Sequence, residues 1–201
     1  MGAVAIGPGT ATVTNGALVQ ANDVGLLGVS ISDPILGAPG PGLIDINANA
    51  QIQSDGIGIL AIKGGDGNTD IDVDAAIGGL SGTNTGGDGI QVFNFAGDGL
   101  VTVDTTANGT IDADGNGIFV AKFFGDGDAV SGDAVVVNTN AAINAGDDGI
   151  AVGQFLGDGN LRVISNAAIT AGDDGIQVIK VLGEGDVVIQ SNDGITAGDD
   201  G

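Results

Sequence analysis

Residues 140–150 read NAAINAGDDGI and residues 166–176 read NAAITAGDDGI, the same string but for one position, 26 residues apart. A period in this range marks a repeat architecture, and it has to be settled before any local structure. Residues 195–201, ITAGDDG, start the string a third time. Working outward, aligning on the isoleucine of DGI, written NGI in one copy, gives Ile57, Ile90, Ile118, Ile150 and Ile176, with steps of 33, 28, 32 and 26. An earlier column is steadier. Asn49, Asn108, Asn140, Asn166 and Asn192, with Asp74 in the remaining copy, each stand three residues before an isoleucine: Ile52, Ile111, Ile143, Ile169, Ile195 and Ile77.

Further columns follow. Five residues after the DG isoleucine come Ile31, Ile62, Phe95, Phe123, Phe155 and Val181, counting Leu26 as the degenerate first member. An acidic column holds Asp98, Asp126, Asp158 and Glu184, each flanked by glycine, with Asp66 one place out of step. The unit is near 26 residues, and longer copies carry insertions expected at turns: residues 32–43, 78–87 and 128–133. Insertions at turns keep side chains on their faces, whereas a slip inside a strand would reverse them.

Within each unit, segments such as GIQVIKV and DVVIQS alternate apolar with polar residues, the period of half-buried strands, and no 3.6-residue period occurs. The expected fold is therefore all-β: a right-handed parallel β-helix, one solenoid over residues 1–201, of six to seven coils. The Ile, Val and Phe columns are expected inside it, with the asparagines stacked at one turn and bonded from coil to coil. Because the seventh copy breaks off after ITAGDDG, the chain reads as a piece of a longer array whose last coil is frayed or covered by a neighbour.

DGIxVxxFxGDG and NAAITAGDDGI, over residues 10–201, resemble the right-handed parallel β-helix of bacterial surface and secreted proteins, above all autotransporter passenger domains and adhesins. The resemblance implies an extracellular or cell-surface location. It also implies partners among host or cell-surface glycans and proteins, or neighbouring copies placed end to end.

Composition excludes several classes. The chain has 40 glycines, no Cys or His, 26 acidic against four basic residues, and a net charge of −22. Nucleic acid and anionic membranes are disfavoured, since phosphate recognition needs clustered Lys and Arg. No run is apolar enough to insert in a membrane. Without His or Cys, Ser-His-Asp and Cys-His catalysis is excluded.

The carboxylates leave four readings. Stacked about 4.8 Å apart, Asp98, Asp126, Asp158 and Glu184 form one ladder, and Asp148, Asp174 and Asp200 a second. Such ladders could hold calcium, which takes several hard oxygens. Alternatively they are a solvated edge that blocks unwanted pairing, or an adaptation to salt. A polysaccharide hydrolase would need two carboxylates at defined separation, for which Asp147, Asp148, Asp173 and Asp174 are available. Those pairs recur with the repeat, whereas a catalytic coil should differ from its neighbours. The favoured expectation is a non-catalytic stalk or adhesin-like display scaffold requiring no cofactor.

Overall fold

A computed structural model describes residues 1–32, 41–80, 82 and 84–201. Each coil contributes three strands. Coil one is β1 (Gly2–Ile6), β2 (Thr10–Asn15) and β3 (Val19–Ala21); coil two is β4 (Val24–Ile31), β5 (Leu43–Ala48) and β6 (Ile52–Ser54). Coil three is β7 (Ile57–Gly64), β8 (Thr69–Val73) and β9 (Ile77–Gly78); coil four is β10 (Ile90–Asn94), β11 (Val101–Thr105) and β12 (Thr110–Ala113). Coil five is β13 (Ile118–Lys122), β14 (Asp133–Thr139) and β15 (Ala142–Ala145). Coil six is β16 (Ile150–Gln154), β17 (Asn160–Ser165) and β18 (Ile169–Ala171); coil seven is β19 (Ile176–Lys180), β20 (Val187–Ser191) and β21 (Ile195–Thr196). Strands in the same place of successive coils pair in parallel, giving three seven-stranded walls and a right-handed parallel β-helix.

Period-two alternation decides what faces inward. Wall one sends in Leu26, Ile59, Ile90, Ile118, Ile150 and Ile176 as one column, and wall three sends in Ile52, Ile77, Ile111, Ile143, Ile169 and Ile195. Wall two adds Val13, Ile46, Ile71, Val103, Val137 and Val163. β-Branched side chains suit a pleated surface, and each fully buried isoleucine contributes about 2–3 kcal/mol relative to exposure. The glycine before each wall-one isoleucine is required by packing. A Cβ on Gly117 would collide with Ile143 Cγ2 and with the Gly149 carbonyl of the next coil.

Several sequence expectations need correction. Ile90 pairs with Ile59, not Ile57, so the Asp55-Gly56-Ile57 motif sits two residues ahead of its column. With that register, Ile52 to Ile59 spans the same interval as Ile111 to Ile118, and Gly64, not Ile62, precedes Phe95 in its column. The Phe column lies outside: Phe95 is 48% and Phe155 39% exposed. Five is an odd offset from an inward isoleucine, so alternation turns the ring outward. The repeat also starts earlier than residue 10, because β1 pairs with β4 from Gly2 to Ile6.

The insertions differ in kind. At residues 128–133 the loop closes on itself at the corner of walls one and two: the Asp128 carboxylate accepts from Val130 N (3.1 Å), Ser131 N (2.8 Å) and Ser131 Oγ (3.1 Å). A bulge between Asp133 and Val135 absorbs the mismatch with Asn160 and Leu161. The 78–87 insertion is not at a corner. The chain leaves wall three after Gly78 and re-enters it at Thr85, which bridges to Ala113. Of residues 32–43, 33–40 lie outside the described residues, and the insertion's ends, Ser32 and Gly42, meet through a bond from Gly42 N to Ser32 Oγ (3.3 Å). Coil seven is paired throughout its three strands, with its inward Val187 and Ile189 45% and 49% exposed.

The acidic ladder and the buried lysine column

The corner between walls one and two is built from Gly-Asp-Gly turns. Gly65, Gly67, Gly97, Gly125, Gly127, Gly183 and Gly185 all have positive φ there, 107° at Gly97, a region open to glycine at little cost. These turns place the acidic side chains outside and roll backbone carbonyls inward.

Outside, the expected ladder forms as a chain of hydrogen bonds. Asp98 N donates to Asp66 Oδ1 (3.4 Å), Asp126 N to Asp98 Oδ1 (3.0 Å), Asp158 N to Asp126 Oδ1 (3.2 Å) and Glu184 N to Asp158 Oδ1 (2.8 Å). Each carboxylate thus satisfies a backbone N–H of the next coil. The second ladder works the same way and is longer than its sequence signature. Asn116 N donates to Asp88 Oδ1 (2.8 Å), Asp148 N to Asn116 Oδ1 (3.3 Å), Asp174 N to Asp148 Oδ1 (3.1 Å) and Asp200 N to Asp174 Oδ1 (3.3 Å). Burial above all lifts the Asp148 carboxyl from its ordinary value, the neighbouring carboxylates adding to it and the Asp174 N–H opposing. Among the described residues no group of three or more carboxylates converges as a metal cage would require. Asp147 and Asp173 stand beside the second ladder in consecutive coils, joined through the backbone by Asp173 N to Asp147 O (3.1 Å).

Inside the first corner lies a feature that motif reading missed. Ser30, Lys63, Asn94, Lys122, Gln154 and Lys180 are consecutive partners in wall one and all face inward. Lys63 and Lys122 are wholly buried, and so are Ser30, Asn94 and Gln154. The amines meet the rolled-in carbonyls: Lys63 Nζ donates to Gly65 O (2.8 Å) and Asp66 O (2.7 Å), Lys122 Nζ to Gly97 O (2.6 Å) and Gly99 O (3.0 Å). Lys180 Nζ donates to Gln154 Oε1 (2.6 Å), Gly157 O (2.9 Å) and Gly159 O (2.7 Å), and Gln154 Nε2 serves the remaining turn at Gly125 O (3.1 Å).

Three of the chain's four basic residues are therefore structural cations beneath the acidic ladder. Burial pulls the Lys63 amine down to about 8 against the pull of Asp66. Burial does the same to Lys122, also to about 8, opposed by Asp98, Asp126 and Asp66 and helped by Lys63. Lys180 is lowered for the same first reason. Uncharged Asn94 and Gln154 separate the lysines by two coils, about 10 Å, which weakens their mutual repulsion. Among the described residues, both amide atoms of Asn94 and the hydroxyl of Ser30 have no hydrogen-bond partner.

The signal for this column is parity: each lysine stands four residues after a wall-one isoleucine (Ile59, Ile118 and Ile176), an even offset that points inward. Chemically, the corner neutralises inward carbonyl dipoles with cations and outward N–H groups with anions, and so holds adjacent coils in register. The asparagine column acts at the next corner, where Asn166 Nδ2 donates to Asn140 Oδ1 (3.1 Å) and Asn192 Nδ2 to Asn166 Oδ1 (2.6 Å), while Asn108 bonds to Asp74. Comparison of the chain with protein-family models, with curated proteins and with solved structures finds no match.

Proposed function

We propose that this chain is a non-catalytic stalk and display scaffold of a bacterial cell-surface or secreted protein. The observation that carries the reading is the constancy of the cross-section: seven coils keep three parallel walls while the chain is enlarged at 128–133 beside a corner and where it leaves wall three after Gly78 and returns at Thr85. A rigid element carrying variable excursions is a way to hold recognition residues at a distance. Val130, 95% exposed at the tip of the 128–133 loop, is the sort of contact such a loop offers.

The charges support a structural reading over a catalytic one. Ladder carboxylates recur coil after coil and are occupied as acceptors, and the buried lysines serve carbonyls of the turns. Autotransporter-type export and adhesion to a glycan or protein belong to this proposal as its finer form.

Beads coated with the whole chain, and with a variant in which residues 129–132 are replaced by a single glycine, would be tested for adhesion to cultured epithelial cells, with circular dichroism as the folding control. Adhesion lost in a variant of unchanged spectrum supports display. Equal adhesion by both moves recognition off this loop, and release of reducing ends from a polysaccharide panel by the intact chain would replace the scaffold with an enzyme.

A further inference from the structure

The outer face of wall one is unlike the rest of this acidic molecule. From coil two to coil seven every outward position is apolar or glycine except Gln91 and Gln177. Even these turn their amides to the margin, Gln91 Nε2 to Asp88 Oδ2 and Gln177 Nε2 to Asp174 Oδ2, each at 2.7 Å. Phe95, Phe155, Ile179 and Val181 are between 39% and 48% exposed. Across coils five to seven, small residues at Ala121, Ala151 and Gly153 leave a depression of about 80 Å³ between Phe119, Phe155 and Ile179. Apolar surface gathered on one face of a soluble protein marks a contact surface.

Its borders identify the kind of partner. One long edge carries the Asp66–Glu184 ladder and the other the ladder of Asp88, Asp148, Asp174 and Asp200. The strip is about 13 Å wide and, from coil two to coil seven, about 24 Å long, from the rise of a five-residue strand and the spacing of the coils. An α-helix of about 16 residues has that length. Anionic membranes would be repelled by both edges, and a second copy would bring its own acidic edges against them. Sugar rings find no platform, because Phe95, Phe123 and Phe155 stack on one another (centroids 5.4 and 5.1 Å apart, planes within 9° and 11°) and show solvent their edges.

We infer that the outer face of wall one docks a basic amphipathic helix of a partner protein, its apolar stripe on the phenylalanine and aliphatic columns and its Lys and Arg residues along the two acidic ladders. This site is separate from the 128–133 loop and stands whether or not that loop recognises anything.

The probe is a fluorescein-labelled 18-residue helix of Leu and Lys with one apolar stripe, titrated with the full chain and followed by anisotropy. Two control peptides accompany it: the same composition scrambled so that no stripe forms, and a Leu–Glu version with the stripe retained. Saturable binding is expected only for the striped Leu–Lys peptide, weakened at least tenfold by Ile179→Lys, by Phe93→Lys and by 0.5 M salt, and unchanged by Val136→Lys on the outer face of wall two. Equal binding of the scrambled peptide would reduce the surface to bulk charge, and equal binding of the Leu–Glu peptide would remove the role of the ladders. A chain that sediments as a dimer, and as a monomer with Phe93→Lys, would give the face to a second copy. Each of these three results overturns the inference.

Discussion

The corner between walls one and two and the corner between walls two and three turn the same chain, coil after coil, with different chemistry inside. At the first, the turns present carbonyls inward to the column in wall one, two or more to each of Lys63, Lys122 and Lys180 and a single one to Gln154. At the second, the inward column reads Thr105, Thr139, Ser165 and Ser191. There Thr139 Oγ1 donates to Ala141 O (3.1 Å), Ser165 Oγ to Ala167 O (2.9 Å) and Ser191 Oγ to Asp193 O (2.9 Å), each two residues on. The number of carbonyls turned inward sets the donor. One carbonyl is matched by a short hydroxyl, and a cluster calls for an ammonium on a flexible stem, with three donors and a charge.

The difference can be broken by substitution. Lys122→Ala leaves Gly97 O and Gly99 O buried without donors and empties the stem's volume, so it should destabilise by about 3–4 kcal/mol in urea denaturation. Thr139→Val, which removes the bonds to Thr105 and Ala141 but keeps the shape, should cost about 1–2 kcal/mol. Equal losses would show that both corners are held in the same way.

A pH series sharpens the contrast, since the lysines that titrate at alkaline pH lie at the first corner. Lys63 and Lys122 deprotonate near 8 in the native chain against 10.5 for the free side chain. Between those values the unfolded chain holds protons that the native one has lost, so native stability contributed by these sites rises with pH across that window. Below about 8 both states are charged and the cost of burying the charge is fully present. The wild type should therefore gain on Lys122→Met between pH 8 and 10, and no such gain should separate it from Thr139→Val.

Outer rungs should matter least. Asn166→Ala removes exposed bonds to Asn138, Asn140 and Asn192, and a shift below about 0.5 kcal/mol is expected. Asp126→Asn retains an oxygen for Asp158 N and deletes a repelling charge, so its denaturation midpoint should match or slightly exceed the wild type's. Millimolar calcium raising the wild-type midpoint, but not that of Asp126→Asn, would instead make the ladder a metal site.

Much of this was legible in the residues because a solenoid repeats its decisions. The Asn column, with Asp74 in one copy, and the isoleucines three residues later keep their spacing from coil two to coil seven, and they locate wall three correctly from Ile52 to Ile195. Local motifs misled where two fitted in one place: Asp55-Gly56-Ile57 resembles the repeat better than Gly58-Ile59, yet the latter carries the register. The phenylalanines read as core because they are large and periodic, although their odd offset settles the side they face. Along the chain, Lys63, Lys122 and Lys180 stand far apart and form no cluster. They cluster only across it, every second coil, and wall one is also where the apolar exterior hides among residues that look like ordinary strand.

The inward lysines have a consequence for resistance to proteolysis. Proteases of trypsin type cut after Lys or Arg in a segment they can draw into their cleft as an extended strand. Here Lys63 and Lys122 lie wholly inside, Lys180 is held by three acceptors, and Arg162, though exposed, sits mid-strand in β17 with β14 on one side and β20 on the other. Such an enzyme finds nothing to grip until coils separate, so its rate of cutting would report how often the rod opens.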